Sequence, residues 1–258
     1  DSNGAATSVA VDSMSTGNIT IKALSDSEIE TIAISVAGSG TVSLAGSGGG
    51  SLIGNNINAF VSGANVATPD SLILYAESTD AISSFGGSAG ISGTVGAGGA
   101  VFVNQLTSST KAYVSADSII TALGSNAADV NHWVDNGDGT ETAIVDQPLR
   151  GLAVVANTAN NIDVVSAAIG ASGVVGIAGN FVVNIVSTNT EAYISDSAVN
   201  NAAQHGQTVR VLAHQTTDIL SAGGAVAGGQ VGVGAAIDTN ILNSTTTAYI
   251  EDPDVTSD

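Results

Sequence analysis

The densest group of chemistry-bearing side chains lies in one short stretch, where His132 and the only tryptophan, Trp133, precede Asp135-Asn136-Gly137-Asp138-Gly139 and Glu141. A tryptophan on a projecting loop, with carboxylates and an amide beside it, is what a glycan- or cell-surface-binding element would present. Trp133, Asp135, Asn136 and Asp138 are therefore the candidate ligand-binding residues. Asp135, Asp138 and Glu141 also offer oxygens to calcium, but they lack the D-x-[DN]-x-[DN]-G spacing of a calcium loop, and the chain has no GGxGxD nonapeptide. Calcium is the one cofactor these residues would suit, and no other metal or cofactor is expected.

Other chemistry is weaker. Gly86-Gly87-Ser88-Ala89-Gly90 fits the G-x-S-x-G nucleophile pattern, yet more strand-like sequence follows it where a nucleophile elbow requires a helix. His132, His205 and His214 share no metal-ligand spacing and read as exposed turn residues. Paired carboxylates for sugar cleavage do not stand out from the scattered aspartates. The sequence does not read as an enzyme.

Charge narrows the partners. Four Lys+Arg against 23 Asp+Glu give a formal net charge of −19, which repels nucleic acid and anionic membrane surfaces. Cysteine is absent, which excludes disulfides and thiolate metal sites. Hydrophobic residues make up 43% of the chain but aromatics only 3%, and 32 glycines dilute the rest. Small and β-branched side chains suit closely stacked strands better than a conventional enzyme core. Thr7 to Met14 reads like the tail of an earlier unit, so the chain is expected to be an internal segment of a longer protein.

The elements that would carry these residues are repeats. Ala23, Ala76, Ala156 and Ala213 are each followed six residues later by Ile29, Ile82, Ile162 or Ile219, and then by Phe60, Tyr113, Tyr193 or Tyr249 after 36 or 37 residues. Regular spacing over degenerate sequence implies stacked supersecondary units. Asn104, Asn184 and Asn240 precede the aromatic by nine residues, Thr110, Thr190 and Thr246 by three, and Val66, Ile119, Val199 and Val255 follow it by six. Such residues would form ladders along a stack, although asparagine's tolerance of positive φ favours turn positions over an internal amide ladder.

Between isoleucine and aromatic the pattern has period two, which means strand. Ala171, Gly173, Val175, Ile177, Gly179, Phe181 and Val183 share one face. A shift of 80 residues pairs Val95 with Val175 and Val101 with Phe181, and a shift of 56 pairs Val231 with Val175 and Ile237 with Phe181. We expect Val95, Val175 and Val231 to point inward. Residues 31–69, 81–110, 164–190 and 219–237 contain no charge. That is long enough for a membrane helix, but glycine and β-branched residues dominate, so strands covered on both sides fit better and no membrane insertion is expected. The acids bordering these segments, Glu30, Asp70, Asp80, Asp163, Asp218 and Asp238, are expected at turns.

The second unit carries about 27 extra residues near 120–149. Asn-Gly and Asp-Gly between the extended runs Trp133-Val134 and Thr142-Ala143-Ile144-Val145 signal a hairpin. The organisation is a single solenoid segment over residues 1–258, with units at about 18–70, 71–120, 150–207 and 208–258 and an inserted hairpin at about 122–148 that projects from the stack. Two or three coils per unit are expected.

Two stretches then carry a resemblance. The run Val95 to Asn104 followed by Thr110-Lys111-Ala112-Tyr113-Val114, and its echoes at Gly176 to Asn184, Thr190 to Ser197 and Thr246 to Ile250, resemble the repeats of very large bacterial surface proteins of the filamentous haemagglutinin and leukotoxin-like adhesin type. The resemblance covers most of residues 71–255 outside the insertion. It implies an all-β, right-handed parallel β-solenoid, extracellular or on the bacterial cell surface, serving as a stalk or fibre that gives reach, stiffness and self-assembly. The alternative is a glycan- or cell-surface-binding module acting through the hairpin. Expected partners are further copies of the chain and, in the alternative, a host or neighbouring-cell glycan.

Overall fold

The computed structural model describes residues 17–135, 141–200, 206–251 and 254–255; for 131–135, 141–147 and 254–255 it describes the backbone pairing alone. The chain is a parallel β-solenoid built from repeats. Each coil consists of two long strands and one short one. The first long strands are β1 (Ile19–Ser39), β4 (Leu72–Ser92), β9 (Gly151–Ser172) and β12 (Thr208–Gly228). The second are β2 (Val42–Ser62), β5 (Val95–Ser115), β10 (Val175–Ser195) and β13 (Val231–Glu251), and the short ones β3 (Asn65–Thr68), β6 (Ser118–Ala122), β11 (Ser197–Val199) and β14 (Asp254–Val255). Stacked coil on coil they make three parallel sheets, ordered β1-β4-β9-β12, β2-β5-β10-β13 and β3-β6-β11-β14.

Each unit is one coil, where the sequence predicts two or three. Ile19 lies beside Leu72, Leu72 beside Leu152 and Leu152 beside Val209, steps of 53, 80 and 57 residues. The coil is long because its strands run for 21 or 22 residues, about four times the usual strand length. The alanines and isoleucines fall in register, Ala23 with Ala76, Ala156 and Ala213, and Ile29 with Ile82, Ile162 and Ile219.

The two long sheets face each other as a blade that the short sheet closes at its wide end. There a cluster including Leu72, Leu74, Val114, Leu152, Val154 and Ile194 fills the space. Farther along lies a second cluster, with Ile82, Phe102, Leu106, Ile162, Val182 and Val186. Between the two runs a polar seam that includes Ser78, Asp80, Ser108, Thr158, Asn160 and Thr188, all buried. Beyond the second cluster the sheets converge on a tip of small residues. A Cβ at Gly90 or Gly170 would collide with the carbonyl of Ala97 or Ile177 on the facing strand, so only glycine allows this approach of two backbones.

The inward face is therefore the opposite of the one expected. Gly96, Gly98, Ala100, Phe102 and Asn104 point in, whereas Val95 and Val175 are half-exposed and Val231 is 55% exposed. The pairings themselves hold: Val95 with Val175, Val101 with Phe181, Val231 with Val175, Ile237 with Phe181. The run from Ala171 to Val183 also breaks at a bend at Gly173-Val174, so it belongs to two strands on opposing sheets. Of the acids placed at turns, Asp70 alone occupies a bend; Glu30, Asp80, Asp163, Asp218 and Asp238 lie within long strands. In the second coil Ile120, not Ile119, aligns with Val66 and Val199. Ala116 and Asp117 both adopt positive φ there (59° and 56°) and absorb one extra residue.

Candidate functional site

The insertion forms two antiparallel strands, β7 (Ala128–Asp135) and β8 (Glu141–Leu149). Trp133 pairs with Ala143 and Asp135 sits opposite Glu141. The side chains of Trp133, Asp135 and Glu141 lie outside the described residues, as do Asn136 and Asp138 altogether. Among the described residues no three His, Asp or Glu side chains converge as metal ligands.

The base of the hairpin does not simply project. Ala128, Val130 and Leu149 pack on Ile73, Tyr75, Ala153 and Val155, which are outward residues of β4 and β9. Its neck is clamped by polar groups. Asp70 Oδ1 accepts hydrogen bonds from the Asn126 backbone N–H at 3.0 Å and from its Nδ2 at 2.8 Å, and Arg150 Nη1 donates to the carbonyls of Gly124 and Ser125 at 2.9 and 2.6 Å. The single Ser71 Oγ–H is shared between the carbonyls of Asn126 and Leu149, at 3.0 and 3.1 Å.

Beside this base runs a groove of about 220 Å³ lined by Thr20, Lys22, Leu24, Ile73, Tyr75, Glu77, Asp129 and Val130. Lys22 Nζ stands 5.8 Å from the Tyr75 ring centroid. Glu77 continues into a polar row along the stack: Asn157 Nδ2 donates to Glu77 Oε1 at 3.1 Å, and Asn157 Oδ1 lies 2.9 Å from His214 Nδ1. With its oxygen the acceptor, Asn157 requires the proton on His214 Nδ1. His214 is thus a half-buried residue within β12, where an exposed turn is expected from sequence. One ammonium, two carboxylates and a phenol suit a small polar ligand held by hydrogen bonds. Tyr75 is only 8% exposed, so its ring face is no open stacking platform.

The ladders are the most regular feature. Phe60, Tyr113, Tyr193 and Tyr249 stack with centroids 5.1, 4.9 and 5.1 Å apart and interplanar angles of 7°, 4° and 6°. They lie on the outward side of the second long sheet, next to a Lys111–Glu191 ion pair at 2.8 Å. Burial between its neighbours, then the charges of Tyr113, Tyr249 and Glu191, pushes the Tyr193 phenol up to about 12. The asparagines form the internal amide ladder, not turns: Asn104 Nδ2 donates to Asn184 Oδ1 at 2.9 Å and Asn184 Nδ2 to Asn240 Oδ1 at 2.8 Å. Ser84 and Ser221 join it from the facing sheet.

Sequence reasoning did not anticipate the outer surface of the blade. The charge-free segments are not covered on both sides. Leu44, Val101, Ile177, Phe181, Val233 and Ile237 stand 73%, 48%, 45%, 40%, 59% and 55% exposed on the second long sheet. On the first, Ile34, Phe85, Val165 and Val226 are equally open. The available signal was the alternation of large outward with small inward residues, read with the wrong sign.

The chain matches no known protein family, no curated protein and no solved structure.

Proposed function

We propose that this chain is a structural segment of a secreted bacterial surface fibre or adhesin, providing reach, stiffness and self-assembly outside the cell. The observation that carries the reading is the in-register stacking of whole coils, with aromatic and amide ladders continuing from one to the next. A stack of this kind lengthens by adding coils without changing its cross-section, because each coil meets only its neighbours. Electron microscopy across protein, salt and calcium concentration tests this. Filaments with a repeat of about 4.8 Å along their axis are the expected result, and isolated particles under every condition would overturn it.

A second reading rests on the groove at the hairpin base. Lys22, Tyr75, Glu77 and Asp129 there offer donors and acceptors to the hydroxyls of a glycan. A glycan array run on the chain with and without residues 122–148 tests it; equal, empty arrays would remove it.

A further inference from the structure

We infer that the outward face of the sheet β2-β5-β10-β13, from its tip to the Leu52-Gln105-Ile185-Ile241 row, is the docking surface for a second copy of this chain, packed face to face with its solenoid axis pointing the same way. The inference rests on the fibre reading only in supposing that copies meet; it names the surface through which they do so side by side.

Six outward rows cross the four strands between the Val42-Val95-Val175-Val231 row and the Leu52 row, with no charged residue and only Thr239 and Gln105 polar. At the usual strand spacing and rise this face covers roughly 750 Å². That exceeds the largest apolar patch of a typical monomer, about 300–600 Å², and approaches the about 800 Å² per partner of a standard interface. A flat apolar sheet face of this size is what two sheets stacked about 10 Å apart bury.

Charge selects this face over its counterpart. On the first long sheet the apolar rows border Glu30, Asp163 and Asp218, and a second copy of a −19 chain would bring like carboxylates together. On the face chosen, the nearest charges are Lys111 and Glu191, paired with each other and three rows beyond Leu52.

Relief identifies the occupant as a copy of the same surface. Gly46, Gly99, Gly179 and Ala235 form a trough between two ridges, Leu44-Ala97-Ile177-Val233 and Val101-Phe181-Ile237. Unlike the tip glycines, Gly99 and Gly179 would meet nothing within 4 Å if they carried a Cβ. Nothing inside the coil requires glycine there, and glycine weakens a strand; close approach by an external surface is the remaining reason for it. A two-fold axis parallel to the stack, placed between the trough and the Phe181 ridge, drops each copy's ridge into the other's trough. The contact is self-complementary and closes as a pair.

Sedimentation velocity and electron microscopy of the intact chain test this together. The wild type is expected to form a dimer that tightens with added salt, as screening weakens the repulsion between acidic copies. Ile177→Asp or Phe181→Asp should abolish the dimer. Gly99→Val with Gly179→Val should weaken it at least tenfold while the melting temperature of the monomer holds or rises, a result that misfolding cannot mimic. Val165→Asp on the other face should leave it intact. A dimer unaffected by the Gly99/Gly179 pair, a dimer lost with Val165→Asp, or capture of the monomer by lipid vesicles through this face would overturn the inference. Filaments that persist unchanged in all face variants would overturn it and keep the fibre reading. A face-dependent dimer that never lengthens would keep it and reject the fibre.

Discussion

The side-chain amide of Asn104 donates to Oδ1 of Asn184 across 2.9 Å, although 80 residues separate the two in sequence. Both are fully buried. Asn184 in turn donates to Asn240 and to Ser221, so it is the central, buried member of a chain of amides whose last link, Asn240, is exposed. Replacing it with alanine leaves the buried Asn104 Nδ2 without its acceptor. Urea denaturation of Asn184→Ala should show a loss of about 1–3 kcal/mol, whereas the exposed Asn243→Ala should change little.

The inward face is fixed by Phe102, which is 0% exposed, and not by Val175 beside the turn. Phe102→Ala should cost about 3–5 kcal/mol. Val175→Asp, which the sequence-based expectation would make severely destabilising, should cost about 1 kcal/mol or less. Chemical denaturation at concentrations where the chain is monomeric separates the two registers directly.

Asp80 is the buried carboxyl of the polar seam, taking hydrogen bonds from Ser78 and Asn55. Burial holds its pKa above the ordinary 3.8, against hydrogen bonds from Ser78, Ser108 and Asn55, with the Asp26 charge adding to the rise. A carboxyl whose pKa is higher folded than unfolded binds more protons when folded, so its contribution favours the fold at low pH and is lost as pH rises from 3.8 through the folded value. The next coil carries Asn160 at this position. Asp80→Asn should therefore raise the melting temperature at neutral pH, with the gain shrinking toward pH 4. A gain that does not vary with pH would contradict the buried placement.

Tyr193 sits between Tyr113 and Tyr249, and its phenol is pushed up to about 12. Its linked contribution to stability is complete below pH 10 and falls as pH climbs toward that value. Absorbance titration should show a late-ionising phenolate that disappears in Tyr193→Phe. Its persistence in that variant would assign it elsewhere in the ladder.

The register of the stack was legible because every coil meets the same neighbours. Ala23, Ala76, Ala156 and Ala213 and the four aromatics mark equivalent points, and the structure pairs each set. Which face points inward was not legible. Valine, isoleucine and phenylalanine on one side ordinarily mark a core, but here the facing sheets lie too close at Gly90 and Gly170 to admit them. The thickness of the blade is a property of two strands together and is not written in either one. Coil number failed because strands of the usual length, about 5–6 residues, would complete two or three coils per unit, whereas these run for 21 or 22 residues. The groove lined by Lys22, Glu77 and Asp129 unites residues from β1, β4 and β7, and no local spacing announces it.

The long, thin coil has a mechanical consequence. Strands of 21 residues give a cross-section about 70 Å wide, while two facing sheets make it only about 10 Å thick. Bending rigidity grows as the cube of the dimension in the plane of bending, so a column of such coils resists edgewise flexure about fifty-fold more than flatwise flexure. It behaves as a ribbon and not as a rod. Placing two ribbons flat against each other doubles the thin dimension, which would raise flatwise rigidity about eightfold and leave the supple direction the one most altered by pairing.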